Sequence, residues 1–174
     1  FSGYTGLKSI TIPSSVTSIE AWAFEGCSGL EAINVDESNT NYKSIAGILF
    51  SKDGTQLIKC PAGKKATCYT IPSSVTKIVF CAFEGCSGLE AITIPSSVTE
   101  IGRCAFSGCS GLEAINVDES NTEYKSIGGI LFSKDGKELI KCPEGKKDPC
   151  YTIPDSVKYI GKYAFSSCSG LTSI

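Results

Sequence analysis

The stretch GLEAITIPSSVTEIGRCAFSGCS, Gly88 to Ser110, decides the architecture, because the same frame starts at Gly6, Gly29, Gly88, Gly111 and Gly170. Within it Leu89, Ile92 and Ile94 have the apolar spacing of a short strand entering one wall of a stacked core. Pro95 lacks the ladder N–H and ends that strand, and Ser96-Ser97 supplies turn hydroxyls beside it. Val98 and Ile101 re-enter the core on the return path. Ala105, Phe106 and Cys109, four, five and eight places after Ile101, predict a short helical turn with one buried face. A rung of strand, turn and helical turn cannot bury both of its open faces alone, so it is stable only when stacked on its neighbours.

The frame starts are unevenly spaced. A short unit, Gly6 to Ser28, is followed by a long one, Gly29 to Ser87, and the same short and long pair begins again at Gly88. Copying is close: residues 29–54 and 111–136 match at 24 of 26 positions, departing only at Asn41/Glu123 and Ala46/Gly128. The expected organisation is a single array over 1–174. Its rungs are 6–28, 29–87 with an insert at 34–69, 88–110, and 111–169 with an insert at 116–151, flanked by partial repeats at 1–5 and 170–174. Both ends fall in mid-repeat, as expected of a piece of a longer array, with targeting and anchoring segments outside it.

The insert opens with Asp36, Ser38 and Asn39, side chains that bond their own backbone in turns. Two apolar runs, Gly47–Phe50 and Gln56–Cys60, flank Lys52-Asp53-Gly54, a β-hairpin signal repeated at Asp135-Gly136. After the lysine-bearing loop PAGKKAT, Ile71 regains the register of Ile12 and Ile94.

The unit L-x-x-I-x-I-P-x-x-V-x-x-I-G-x-x-A-F-x-x-C resembles the BspA-like class of leucine-rich repeat, and NVDESNTNYKSI followed by GILFSKDG resembles that family's habitual insert. The resemblance covers essentially the whole chain. It implies an α/β repeat fold: a right-handed leucine-rich-repeat solenoid with a parallel β-sheet on one face, short helical turns on the other and β-hairpin inserts. It also implies an extracellular or cell-surface location and adhesion to host matrix proteins. The chain departs from the pattern where Gly102 and Gly161 are replaced by Glu20 and Val79, which predicts slightly different turns there. The family defines no catalytic residues.

Composition excludes several function classes. Sixteen basic residues against eighteen acidic ones, with Arg103 the sole arginine, form no stripe of the kind that phosphate backbones require, so no nucleic-acid partner is expected. No apolar run approaches the ~20 residues of a membrane span. The absence of histidine removes Ser-His-Asp and Cys-His arrangements. Asp36-Glu37 and Asp118-Glu119 lack the spaced oxygens of a calcium loop, and Gly63-Lys64-Lys65 and Gly145-Lys146-Lys147 lack the spacing of a P-loop. No catalytic residue, metal site or cofactor is expected.

Ten cysteines remain. Cys27, Cys86, Cys109 and Cys168 close each rung's core as small apolar groups. Cys81 and Cys104 share a column with Trp22 and Tyr163, which indicates semi-exposed packing, and a Cys81–Cys104 disulfide requires Cα atoms about 5–7 Å apart. Cys60/Cys68 and Cys142/Cys150 each bracket a seven-residue loop and are candidate disulfides, with free thiols as the alternative. Zinc is disfavoured by the missing histidines and the spacing.

Two surfaces can bind. The strand face presents Thr11, Asn34, Thr70, Thr93, Asn116 and Thr152, edged by Glu31, Glu90 and Glu113. A threonine ladder is also ordinary strand chemistry. The inserts, with Tyr42, Tyr124 and the lysine loops, are the alternative, presented once in each copy of the long unit. The expected function is a non-enzymatic adhesion or protein-binding array that engages host or neighbouring-cell proteins of the extracellular-matrix type. The alternative is a structural spacer. The array is expected to be monomeric, or to associate weakly end to end through uncapped termini.

Overall fold

Alternating apolar side chains make Ser9–Ile12 (β1) and Ala32–Val35 (β2) strands, which lie parallel and in register, with Ile10 beside Ile33 and Thr11 beside Asn34. In the computed structural model, which describes residues 1–174, this pairing is the start of a stack of about seven turns. β3 (Tyr42–Ile45), β4 (Ile48–Ser51) and β5 (Gln56–Lys59) follow as an antiparallel meander. β6 (Cys68–Thr70), β8 (Ala91–Ile94) and β10 (Ala114–Val117) form a second parallel sheet, in the order β10-β8-β6. On the return side β7 (Lys77–Ile78) and β9 (Glu100–Ile101) extend the meander as parallel strands beside β5. The second copy repeats this with β11 (Tyr124–Ile127), β12 (Ile130–Ser133), β13 (Glu138–Lys141) and β14 (Tyr159–Ile160).

The expected hairpin at Lys52-Asp53-Gly54 is the β4–β5 connection. A first hairpin, β3–β4, precedes it and turns at Ala46-Gly47, with φ of 50° and 78°, the two left-handed residues of a tight hairpin loop. This hairpin stands beside β2, where Ile33 N–H donates to Gly47 O at 2.8 Å. The parallel face is thereby divided into a two-stranded and a three-stranded part.

Turn-to-turn hydrogen bonds set the pitch. Glu31 N–H donates to Lys8 O, Glu90 to Thr67, Glu113 to Glu90 and Thr172 to Pro149, each bond spanning one short turn of the stack. From Glu31 to Thr67, and from Glu113 to Pro149, the chain makes a longer turn that carries the meander. Each long unit therefore consists of one long turn and one short one. Gly29 and Gly111 stand where turns touch. A Cβ there would lie 2.1 Å from Thr5 O or 2.3 Å from Ser87 O, an approach only glycine permits.

The expected helical turns are absent; the structure contains no helix. Trp22, Cys81, Cys104 and Tyr163 all have positive φ (69°, 55°, 57° and 64°), which breaks a right-handed helix at its first residue. The backbone N–H groups then alternate in use. Ala105 and Ser107 donate three residues back, to Gly102 and Cys104, whereas Phe83 and Gly85 donate across to Ala105 and Ser107 of the next turn. These corners are stacked turns cross-linked between neighbours. They still aim Ala105, Phe106 and Cys109 inward, at 3%, 3% and 0% exposure.

The core runs along the stack axis. Its central part gathers Phe50, Leu57, Val75, Phe83, Ile92, Val98, Phe106 and Leu112, with Phe83 and Phe106 stacked at 5.6 Å. The buried Asn39 ties each meander to the preceding turn. Its Nδ2 donates to Pro13 O (2.8 Å) and Val16 O (3.0 Å), and its Oδ1 accepts from Asn41 N (2.9 Å) and Tyr42 N (2.8 Å). Asn121 repeats the arrangement in the second copy.

Candidate functional site

The strand face forms as a ladder: Thr11 pairs with Asn34, and Thr70, Thr93 and Asn116 stand in line. All but the half-buried Thr93 are exposed, as is Thr152 in the segment whose Cys150 bridges to Ser173. The glutamate edge is not a free acidic stripe. Glu31 receives Lys8 at 3.3 Å and Lys65 at 3.8 Å, Glu113 receives Lys147, and Glu90 stands between them without an ion pair. The bond to Glu113 raises the Lys147 ammonium above the usual lysine range. Each lysine loop thus lies against the edge of the strand face. Its other lysine leans the opposite way, Lys64 Nζ donating to Ala46 O (2.6 Å) and Lys146 Nζ to Gly128 O (3.0 Å). Strand face and insert are one continuous surface.

Tyr42 and Tyr124 contribute little to that surface. Their hydroxyls are held by the preceding turn, accepting from Ile19 N at 3.1 Å and Ile101 N at 3.2 Å. The carboxylates of Asp36 and Asp118 cap their own turns, accepting from Ser38 N and Ser120 N at 2.8 Å.

All ten cysteines are thiols. Cys60 and Cys142 are buried and Cys68 and Cys150 exposed. The thiols of Cys60 and Cys86 meet inside the stack, as do those of Cys142 and Cys168, with Cys86 Sγ 3.7 Å from Cys60 O and Cys168 Sγ 3.5 Å from Cys142 O. Burial pushes the Cys81 thiol up to about 12 and raises the Cys109 thiol as well. No three Cys, Asp or Glu side chains gather into a metal-binding cluster, and no helix is long and apolar enough to cross a membrane.

Two grooves on the corner side escape sequence reasoning. From Leu57, paired with Ile78, to Cys68, paired with Ala91, the chain takes eleven residues, against thirteen from Ile78 to Ala91. The long turn therefore cuts its corner. The corners before and after it face each other across a gap floored by Ile58 and Lys59, a groove of about 210 Å³. Trp22 and Phe80 meet across it edge to face, centroids 4.8 Å apart and planes at 87°. Lys59 Nζ donates to Cys81 O (2.9 Å) and to Glu84 O and Oε2 (both 3.4 Å). In the second copy Ile140 and Lys141 floor a groove of about 120 Å³ rimmed by Arg103, Lys162 and Tyr163. There Lys162 Nζ lies 5.0 Å from the Tyr163 ring centre. Holding a non-glycine residue at positive φ costs about 1–2 kcal/mol, yet Trp22 and Tyr163 take it and remain 48% and 51% exposed. The sequence carried one sign of this, the shared column of Trp22, Cys81, Cys104 and Tyr163.

Among solved structures the chain is similar to the pneumococcal vaccine antigen PcpA, with 26% identity and a TM-score of 0.71 over 95% of this chain and 38% of that one. It is similar to a leucine-rich cell surface protein of Faecalibacterium prausnitzii, with 31% identity and a TM-score of 0.68 over 97% of this chain and 47% of that one. A leucine-rich repeat protein of Eubacterium ventriosum matches with 25% identity and a TM-score of 0.63 over 95% and 48%. The chain spans less than half the length of each of the three. Comparison with curated proteins finds no match. The BspA type leucine rich repeat region matches in six copies, over residues 1–65, 59–147 and 149–174. With that match spread over nearly the whole stack, the chain belongs to the BspA-type leucine-rich repeat family.

Proposed function

We propose that the chain is a non-enzymatic, protein-binding array of a cell-surface or secreted adhesion protein. Its partners are host or neighbouring-cell proteins of the extracellular-matrix type, held by weak contacts repeated along the stack. The observation that carries this reading is the continuous outer surface of each duplicated unit. The polar ladder of Thr11, Asn34, Thr70, Thr93, Asn116 and Thr152 runs into the lysine loops through the Glu31–Lys65 and Glu113–Lys147 pairs. Such surfaces bind weakly one at a time and gain by avidity when repeated. The similarity to a pneumococcal vaccine antigen and to a cell surface protein supports the location.

The test is length dependence. Concatemers of one, two and three copies of the whole chain are applied to immobilised matrix proteins. Apparent affinity that climbs steeply with copy number is the expected result, and a flat response rejects the reading. A second reading, a structural spacer, is favoured by the uncharged ladder itself, since aligned threonines suit strand packing without any ligand. Absence of binding by the longest concatemer to matrix proteins, mucins and glycans would select it.

A further inference from the structure

The two grooves have kept their floors and exchanged the sign of their rims. Ile58 and Lys59 recur as Ile140 and Lys141, and the inward Ile19, Ala23 and Phe24 recur as Ile101, Ala105 and Phe106. Of the thirteen residues lining the first groove, eight differ from their equivalents in the second copy, all of them on the rim segments 20–25 and 79–84. Only 19 of the other 79 positions compared between residues 1–92 and 83–174 differ, so divergence concentrates on the rims. The first groove holds Glu20, Glu25 and Glu84 against Lys59, a formal charge of −2. The second holds Arg103, Lys141 and Lys162, with Lys141 paired to Glu144, which leaves +2. Core packing accounts for the retained floor; it gives no reason for three rim carboxylates to give way to glycine and serine while two cations appear in place of Ala21 and Phe80.

The first rim also has the geometry of a cation site. Trp22 and Phe80, in contact edge to face, still present ring surface to the groove at 48% and 37% exposure. Glu84 is engaged by Lys59, which leaves Glu20 and Glu25 to face an incoming charge. An ammonium or guanidinium on an apolar stem satisfies both halves, its stem against the rings and Ile58 and its charge toward the carboxylates. One such surface contact changes affinity only roughly two- to fivefold, so the cation has to arrive on a longer chain that makes other contacts.

We infer that the groove rimmed by the Trp22–Phe80 pair docks a lysine or arginine side chain from a basic segment of a partner protein, and that the groove beside Arg103 and Lys162 repels the same segment. This rests on the protein-binding reading above and adds the charge class of the partner.

Trp22 is the chain's only tryptophan, so its emission reports on this groove alone. Pentalysine titrated at low ionic strength is expected to shift that emission saturably, and pentaglutamate to leave it unchanged. The variant Glu20→Gly with Phe80→Lys places in the first groove the residues that Gly102 and Lys162 supply to the second, so the fold accommodates both. It is expected to weaken pentalysine binding about tenfold or more. Should it fail to fold by circular dichroism, Glu25→Ser, which copies Ser107, gives the same reading with a smaller loss. No saturable shift with pentalysine, an unchanged midpoint in a folded variant, or an equal response to pentaglutamate each overturns the inference. A midpoint for n-butylamine equal, per amine, to that of pentalysine overturns the requirement for a protein segment. None of these results alters the length dependence on matrix proteins, so the two readings fail separately.

Discussion

Lys141 Nζ lies 3.2 Å from Glu144 Oε1 with the two side chains only 11% and 4% exposed, whereas its equivalent Lys59 reaches forward to Glu84 of the next turn at 3.4 Å. The two copies solve one problem with carboxylates on different turns. Ala62 stands where Glu144 stands, and Ser166 where Glu84 stands. The lysine satisfies corner carbonyls in both, those of Cys81 and Glu84 in one and of Ser166 in the other, so its charge has to be buried and paired. Glu144→Ala strands that ammonium and also removes the acceptor of Gly108 N, which donates to Glu144 Oε1 at 3.1 Å. A loss of about 3–5 kcal/mol in chemical denaturation is expected. Adding Ser166→Glu supplies the carboxylate from the side used by Glu84 and is expected to restore more than half of it. A double variant no more stable than Glu144→Ala would show that the ion pair is not what the corner requires.

Asn121 is fully buried and spends its amide on four bonds: Nδ2 to Pro95 O and Val98 O, both at 2.9 Å, and Oδ1 from Glu123 N at 2.9 Å and Tyr124 N at 2.8 Å. Asn121→Leu retains the volume and orphans two N–H and two C=O groups of the backbone. An unfolding free energy lower by about 2–4 kcal/mol is expected. A change below about 1 kcal/mol would mean that water replaces the amide.

How much of this was legible from the residues depends on the range of the interaction. The strand at Ala91–Ile94, its end at Pro95 and the hairpin at Lys52-Asp53-Gly54 follow from local alternation and turn chemistry, and the structure has them. The helical turn does not survive. Inward positions four, five and eight after Ile101 suit a helix and a stacked turn equally, and the left-handed Cys104 that decides between them leaves no mark on apolar spacing. Asn39 reads as a local turn former, yet half its bonds reach back to Pro13 and Val16 of the preceding turn. The grooves were beyond sequence reasoning because each arises from a two-residue shortening in the turn between its walls. The strand Tyr42–Ile45 has no alternation of apolar residues to mark it, and its only local sign is the pair of left-handed hairpin loops at Ala46-Gly47 and Gly128-Gly129.

Phe106 stacks on Phe83 at 5.6 Å and 22° and is 3% exposed in the middle of the array. Phe106→Ala opens a cavity between two turns that cannot collapse independently. It is expected to cost about 3–5 kcal/mol, against under about 1 kcal/mol for Thr93→Ala on the outer side of the same turn. Equal effects would invert the assignment of inner and outer faces.

Asp53 and Asp135 sit at the hairpin tips. Bonds from the Ser51 hydroxyl and from the Thr55 N–H and hydroxyl hold Asp53 at about 2, and bonds from Lys137 N and the Ser133 hydroxyl do the same for Asp135, against an ordinary 3.8. A carboxyl whose value is lower folded than unfolded stabilises the folded form above the unfolded value and loses that contribution as pH falls through the folded one. Amide exchange at Thr55 and Lys137 is therefore expected to stay protected down to about pH 4 and to lose protection progressively toward pH 2. Asp53→Ala and Asp135→Ala should remove that dependence at their own tips. Protection that does not change between pH 5 and 2 would disprove the assignment.

Ser167 occupies a column filled elsewhere by Gly26, Gly85 and Gly108, and it shares their backbone, with φ of 60° against 68°, 76° and 72°. A side chain in that conformation costs about 1–2 kcal/mol that glycine does not incur, while glycine's extra freedom in the unfolded chain returns about 0.4–1 kcal/mol of it. The difference favours Ser167→Gly by roughly 0.5–1 kcal/mol. Ser167 is exposed and its hydroxyl makes no hydrogen bond, so nothing else is removed. The reverse substitution at Gly108, on the same backbone, is expected to destabilise, and more strongly, because a Cβ there would lie 3.3 Å from Gly85 N. Chemical denaturation of the two variants checks both signs. A destabilised Ser167→Gly would show that the left-handed residue is set by its neighbours and carries no strain of its own.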